Sequence, residues 1–182
     1  MIDYHDREWG TPLFNDRKLF EFFLLDTFQA GLSWEIILRK RNNFKKAFAN
    51  FSVTKVANFG RGEQNRLIRD SGIIRNKRKI ESAISNAQGI LKIQKEYGSF
   101  AKYLWSFTKG NPIQHGYKKG EDIPTTSKEA EAMSKDMKAR RFRFVGPTTL
   151  YAFMQGIGMI NDHLISCFRY SEIKRSGHKV HS

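Results

Sequence analysis

The sequence predicts an all-α fold of two closely packed helical lobes. Three observations carry this. Apolar residues recur at i, i+3 and i+4 over most of the chain, and strand-like alternation is scarce. Only four prolines interrupt the 182 residues. A hydrophobic fraction of 40% supplies a packed core, and the length suits one domain or two such lobes.

The elements follow in order. Asp16 is the expected N-cap of a first helix carrying Leu19, Phe20, Phe22, Phe23, Leu24 and Phe28. Gly31 interrupts it. Ser33 caps a second helix through Ile36, Ile37 and Leu38, and Phe44, Ala47, Phe48 and Phe51 extend an apolar face. Thr54 starts a short helix that ends at Gly60-Arg61-Gly62. A long helix carries Ile80, Ala83, Ile84, Ala87 and Leu91, and a short aromatic helix spans 99–107. Residues 109–126 read as a loop. Ser127 opens the next helix through a capping arrangement, and two more helices are expected at 148–157 and 162–168. The tail 171–182 is polar and expected to fray. One lobe takes residues 1–20 and 110–182, and the other takes 21–109.

Charge narrows the partner. Lys and Arg number 32 against 18 Asp and Glu, for a net charge of +14. Such an excess concentrates polyanions, and the basic residues are interleaved with acids rather than gathered in a polybasic tail. Nucleic acid is therefore the expected partner, not a membrane surface. The first residues lack a signal-peptide core, no apolar run spans a bilayer, and the single cysteine, Cys167, forms no intrachain disulfide. A cytoplasmic location is expected.

Three constellations suggest chemistry. In 141–149 a helix ends, Val145-Gly146 turns, and Pro147 begins a new helix. Free backbone N–H groups there form an anion site for a DNA phosphate, within a field from Arg140, Arg141 and Arg143. Next, His163 and Cys167 stand four residues apart, on one face of the expected last helix. Imidazole and thiolate suit zinc, with His5 as a third ligand and His178 and His181 as lesser candidates; such a pair also occurs as ordinary packing. Finally, Asp26 and Gln29 precede a break at Ala30-Gly31, and Trp34 follows. With Tyr4 and Trp9 these residues have the chemistry to stack a flipped base and read its edge, although aromatics at helical spacing also fill cores.

The ordered motifs YHDREWG (4–10), QAGLSW (29–34), GIIRNKRKI (72–80), LWSF (104–107), SKDMKARRFRFVGPTT (134–149) and NDHLISC (161–167) cover nearly the whole chain. Together they resemble the type I 3-methyladenine DNA glycosylases. The resemblance implies an all-helical fold of the helix-hairpin-helix superfamily. It implies a hydrolase of base excision repair that flips 3-methyladenine from double-stranded DNA and excises it without cutting the backbone. Tyr4, Trp9, Asp26 and Trp34 then line the base pocket, with Asp26 and Tyr4 in the catalytic role. Val145, Gly146, Thr148 and Arg143 grip phosphates. His5, His163 and Cys167 match three of the family's four zinc ligands. Two departures stand out. The family's fourth ligand, a cysteine about a dozen residues before YHD, has no counterpart, so a truncated start or an incomplete zinc site is expected. Asp26 replaces the usual glutamate. Asp162, near where many superfamily relatives carry a catalytic aspartate, is expected to cap the last helix. A monomer is expected, because one lesion offers no two-fold symmetry. The rival readings are a DNA-binding relative without catalysis and a glycosylase for another alkylated base.

Overall fold

The computed structural model describes residues 1–176. Ten helices are present among them: α1 (Ile2–Arg7), α2 (Asp16–Gln29), α3 (Trp34–Ala47), α4 (Val53–Ala57), α5 (Arg61–Arg69), α6 (Lys77–Tyr97), α7 (Phe100–Ser106), α8 (Lys128–Ala139), α9 (Pro147–Gly156) and α10 (Phe168–Ser176). Two short strands, β1 (Ile113–Gln114) and β2 (Ile160–Asn161), pair in parallel, β1 within the segment expected to be a loop and β2 between the last two expected helices. No helix among the described residues is long and apolar enough to cross a membrane.

α2 is the organising helix. Residues 19–28 are buried all round it, so its apolar character is not confined to one stripe. It packs against α3, α6, α7 and α9. Phe23 shows why: its ring meets Phe100, Phe142 and Phe153 at centroid distances of 5.4–6.0 Å, mostly edge to face. On the other side, Phe28, Phe44 and Phe48 form a second aromatic cluster.

Several helix starts carry side-chain caps, the expected Ser127 among them, whereas Ser33 stands at the start of α3 without one. Ser52, Asn76, Ser99 and Ser127 each accept a hydrogen bond from the backbone N–H three residues on. Asp16 does not cap its own helix. Asn15 does, accepting from Lys18 N. The Asp16 carboxylate instead accepts from Phe100 N at 3.0 Å and Ala101 N at 2.9 Å, so it caps α7 across the fold. An acid at the positive end of a neighbouring helix is as favourable as one at its own.

The segment 162–167 is not helical, contrary to expectation. Its donors go elsewhere: His163 N to the Asn161 side chain and Ile165 N to Tyr117 O. The helix begins only at Phe168 and includes Ser171–Ser176, part of the tail expected to fray.

Candidate active site

α1 and the turn after it lay the N-terminal segment over α2 and α3. Arg41 of α3 holds it there. Its guanidinium donates to both Glu8 oxygens at 2.7 Å and, through Nε, to Glu21 of α2 at 2.7 Å. The paired cation holds the Glu8 carboxyl below the usual range. This clamp fixes Tyr4 and Trp9 above the C-terminal half of α2.

A cleft of about 170 Å³ results, lined by Tyr4, Trp9, Asp26, Gln29, Trp34, Ala152 and Gln155. All four expected base-pocket residues meet here. The Tyr4 and Trp34 rings lie 5.5 Å apart with planes at 54°. Asp26 is buried at 6% exposure. Among the described residues it has no ion pair and no hydrogen bond, and burial pushes its carboxyl well above the usual range. Burial, with Asp26 and Glu8 nearby, also pushes the Tyr4 phenol up, so it remains a neutral hydroxyl. The cleft thus joins aromatic faces to a buried acid lacking a cationic partner. Such a site favours a flat, positively charged ring. Gln155 and Ala152 escaped the sequence reading because only the rotation of α9 against α2 turns them toward the cleft.

His5, His163 and Cys167 come together next to it, although no helix carries the last two. Their ligand atoms all lie within 4.8 Å of one another. Cys167 Sγ is 3.7 Å from His5 Nε2 and 3.6 Å from His163 Nδ1. Tetrahedral zinc with bonds of about 2.1 Å to nitrogen and 2.3 Å to sulfur needs such pairs about 3.6 Å apart. The opposite ring nitrogens are held as zinc-ligating imidazoles usually are, His163 Nε2 by Trp9 O at 3.1 Å and His5 Nδ1 by Asp6 at 2.7 Å. Burial lowers the His163 pKa to about 4, which keeps the ring neutral and able to ligate. The donor set therefore fits zinc at three positions. His178 and His181 lie outside the described residues.

Asp162 is not a helix cap. It is buried and accepts from His115 Nδ1, Tyr151 Oη and Gln155 Nε2.

The expected hairpin is α8, a turn at 140–146, and α9, with Gly146 at the N-cap and Pro147 at the first position. Val145 is buried, and its carbonyl accepts from Ser134 Oγ at 2.6 Å. Arg143 and Thr148 are exposed. Buried Asn86 of α6 grips the Arg143 backbone twice, accepting from its N–H at 2.9 Å and donating to its carbonyl at 3.0 Å. Arg140 does not strengthen the field as expected. Its guanidinium is paired with Glu96 and Asp136 at 2.6 and 2.7 Å.

A methyladenine glycosylase family model matches residues 1–170. The chain is 41% identical over 169 residues to DNA-3-methyladenine glycosylase 1 of Escherichia coli (strain K12), covering 93% of this chain and 90% of that one. It is 40% identical to DNA-3-methyladenine glycosylase of Haemophilus influenzae, with 91% and 90% covered. Among solved structures, 3-methyladenine DNA glycosylase I from Staphylococcus aureus, solved for the basis of 3-methyladenine recognition, superposes with a TM-score of 0.89 at 38% identity, with 92% of this chain and 89% of that one covered.

Proposed function

Since this chain belongs to the methyladenine glycosylase family, we propose that it is a monofunctional DNA glycosylase that hydrolyses the N-glycosidic bond of 3-methyladenine in alkylated DNA and leaves an abasic site. The observation that carries this is Asp26, a buried acid without a cationic partner in a cleft walled by Tyr4, Trp9 and Trp34.

The chemistry follows from the charge. Methylation at N3 makes the purine cationic, so its bond to the sugar is already weak and little general-acid help is needed. Flipping exposes the base at a cost of a few kcal/mol, less for a damaged pair. The ring stacks on Trp34, with a cation–π contribution of about 0.5–2 kcal/mol. The Asp26 carboxylate then faces the cation it lacks in the free protein. Normal adenine is neutral and gains from neither interaction as much. The bond between the sugar and the base breaks with its electron pair leaving on the base, which departs as neutral 3-methyladenine. Water attacks the sugar carbon and loses its proton. Tyr4 holds the aromatic wall and, as a neutral hydroxyl, supplies a hydrogen bond beside Asp26.

Arg143, Thr148 and the Val145-Gly146 turn supply phosphate contacts for double-stranded DNA at the start of α9. A structural zinc ion fits His5, His163 and Cys167 and would tie the N-terminal segment to the segment before α10. The protein is read as a cytoplasmic monomer, since a single lesion offers no two-fold symmetry to match.

The test is release of free bases from methylated DNA by the wild type and by Asp26→Asn. The expected result is 3-methyladenine release by the wild type, with no strand cleavage, and a rate lower on the order of 10²-fold in the variant. No release by the wild type overturns the assignment; equal release by both removes Asp26 from the mechanism.

A further inference from the structure

Asp162 lies at the end of β2 with its side chain wholly buried. Three donors surround it. Oδ2 accepts from Tyr151 Oη at 2.5 Å and from Gln155 Nε2 at 2.7 Å, and Oδ1 accepts from His115 Nδ1 at 2.6 Å. A carboxylate offers only acceptors, so the Gln155 amide must turn its NH₂ toward it. Gln155 also lines the cleft beside Asp26 and Trp34. Nε2 gives one hydrogen to Asp162, and Oε1 accepts no hydrogen bond among the described residues, so it is open to a donor in the cleft.

An unanchored glutamine is ambiguous, since either end of its amide can face a ligand. This one is held. Tyr151 sits one helical turn before Gln155 on α9, and both side chains reach the same oxygen. Burial and the Asp162 charge push the Tyr151 phenol up, which keeps it a donor. His115 holds the other oxygen from the β1 side. The cleft therefore carries a fixed acceptor next to its aromatic walls.

We infer that Gln155 is a specificity-determining residue that presents its carbonyl oxygen to the exocyclic amine of the flipped purine, and that Asp162 is the positioning residue that sets this orientation. The inference rests on the functional reading above. A purine with an amine at C6 donates to Oε1. A purine with a carbonyl there meets acceptor against acceptor and leaves both unpaired. The acid Asp26 answers the charge of the lesion, and Gln155 answers which purine carries it.

The test is single-turnover excision from methylated duplex DNA, with released 3-methyladenine and 3-methylguanine both quantified. Both lesions are cationic and methylated at N3, so the charge that Asp26 answers and the ring face that Trp34 stacks are common to them. The readout is their rate ratio, which a general loss of stability does not move. The wild type is expected to favour 3-methyladenine. Gln155→Ala is expected to lower the ratio about 3- to 10-fold, the worth of one hydrogen bond. Asp162→Asn offers Gln155 a donor as well as an acceptor, frees its amide to turn over, and is expected to lower the ratio by a similar factor. In the double variant the two changes are expected not to multiply, because Asp162 acts through Gln155. An unchanged ratio in Gln155→Ala overturns the inference even if Asp162→Asn fails to fold. Multiplying effects overturn the positioning role of Asp162. Absence of any 3-methyladenine release by the wild type is a different outcome, and it overturns the functional reading itself.

Discussion

The Trp9 carbonyl accepts a hydrogen bond from His163 Nε2 at 3.1 Å, and the two rings meet edge to face with centroids 4.4 Å apart. This contact joins the proposed base cleft to the His–Cys cluster. Trp9 lines the cleft, and His163 orients its other nitrogen toward Cys167. Whatever holds the cluster together also holds one wall of the cleft.

Removal of metal is therefore expected to loosen the cleft as well as the fold. Chelation of the zinc-loaded protein should lower Tm by roughly 5 °C, equivalent to ~2 kcal/mol for a chain of this size. Affinity for free 3-methyladenine should fall with it. Differential scanning calorimetry and elemental analysis of the wild type and Cys167→Ser check this. A metal-free protein whose Tm ignores added zinc would remove the ion from the account.

Asp26 sets a stability cost with a defined pH sense. Burial raises its pKa in the fold above its unfolded value of about 3.9. Between those two values the native state binds more protons than the unfolded chain, so stability falls as pH rises through that window. Below the unfolded pKa the cost is absent. Asp26→Asn is expected to melt higher than the wild type at neutral pH, with the gap closing near pH 4. Thermal melts across this range measure the gap; a constant difference at all pH values contradicts the burial argument.

Gly158 follows α9 with φ at +74°, where the chain passes under the N-terminal segment. A Cβ there would collide with Pro12 N and the Thr11 carbonyl carbon, and would lie 2.7 Å from Gly10 O. Backbone does not yield as a flexible side chain does. Gly158→Ala is expected to cost about 2–4 kcal/mol, from the left-handed conformation and the clash together. Urea unfolding gives the value, and a change below about 0.5 kcal/mol would mean the segment shifts freely.

Arg143 projects from the hairpin while Asn86 holds its backbone. Arg143→Ala is expected to weaken binding to undamaged and damaged duplexes alike. The slope of log K against log salt should fall by about 1, the signature of one lost phosphate contact. Arg140→Ala should leave that slope nearly unchanged, because the Arg140 charge is already paired with Glu96 and Asp136. Fluorescence anisotropy at several salt concentrations separates the two.

Much of the fold was legible in the sequence because it depends on local chemistry. The apolar period of α6, the Ser127 cap of α8 and Pro147 at the start of α9 are satisfied within a turn or two of chain. The identities of the pocket aromatics and of Asp26 were legible from ordered motifs. Three features were not, and each depends on a partner distant in sequence. Asp16 spends its carboxylate on the start of α7, more than eighty residues away. Residues 162–167 leave the helical state because Asn161 and Tyr117 take their N–H groups. Asp162, expected as a helix cap, meets Tyr151, Gln155 and His115 only once β2 runs beside β1. Residue spacing along one helix determines which side chains share its face. Which of those faces turns to the cleft, and which buried donor finds which acceptor, is decided by packing between helices, because a polar group removed from water takes the nearest partner in space rather than in sequence.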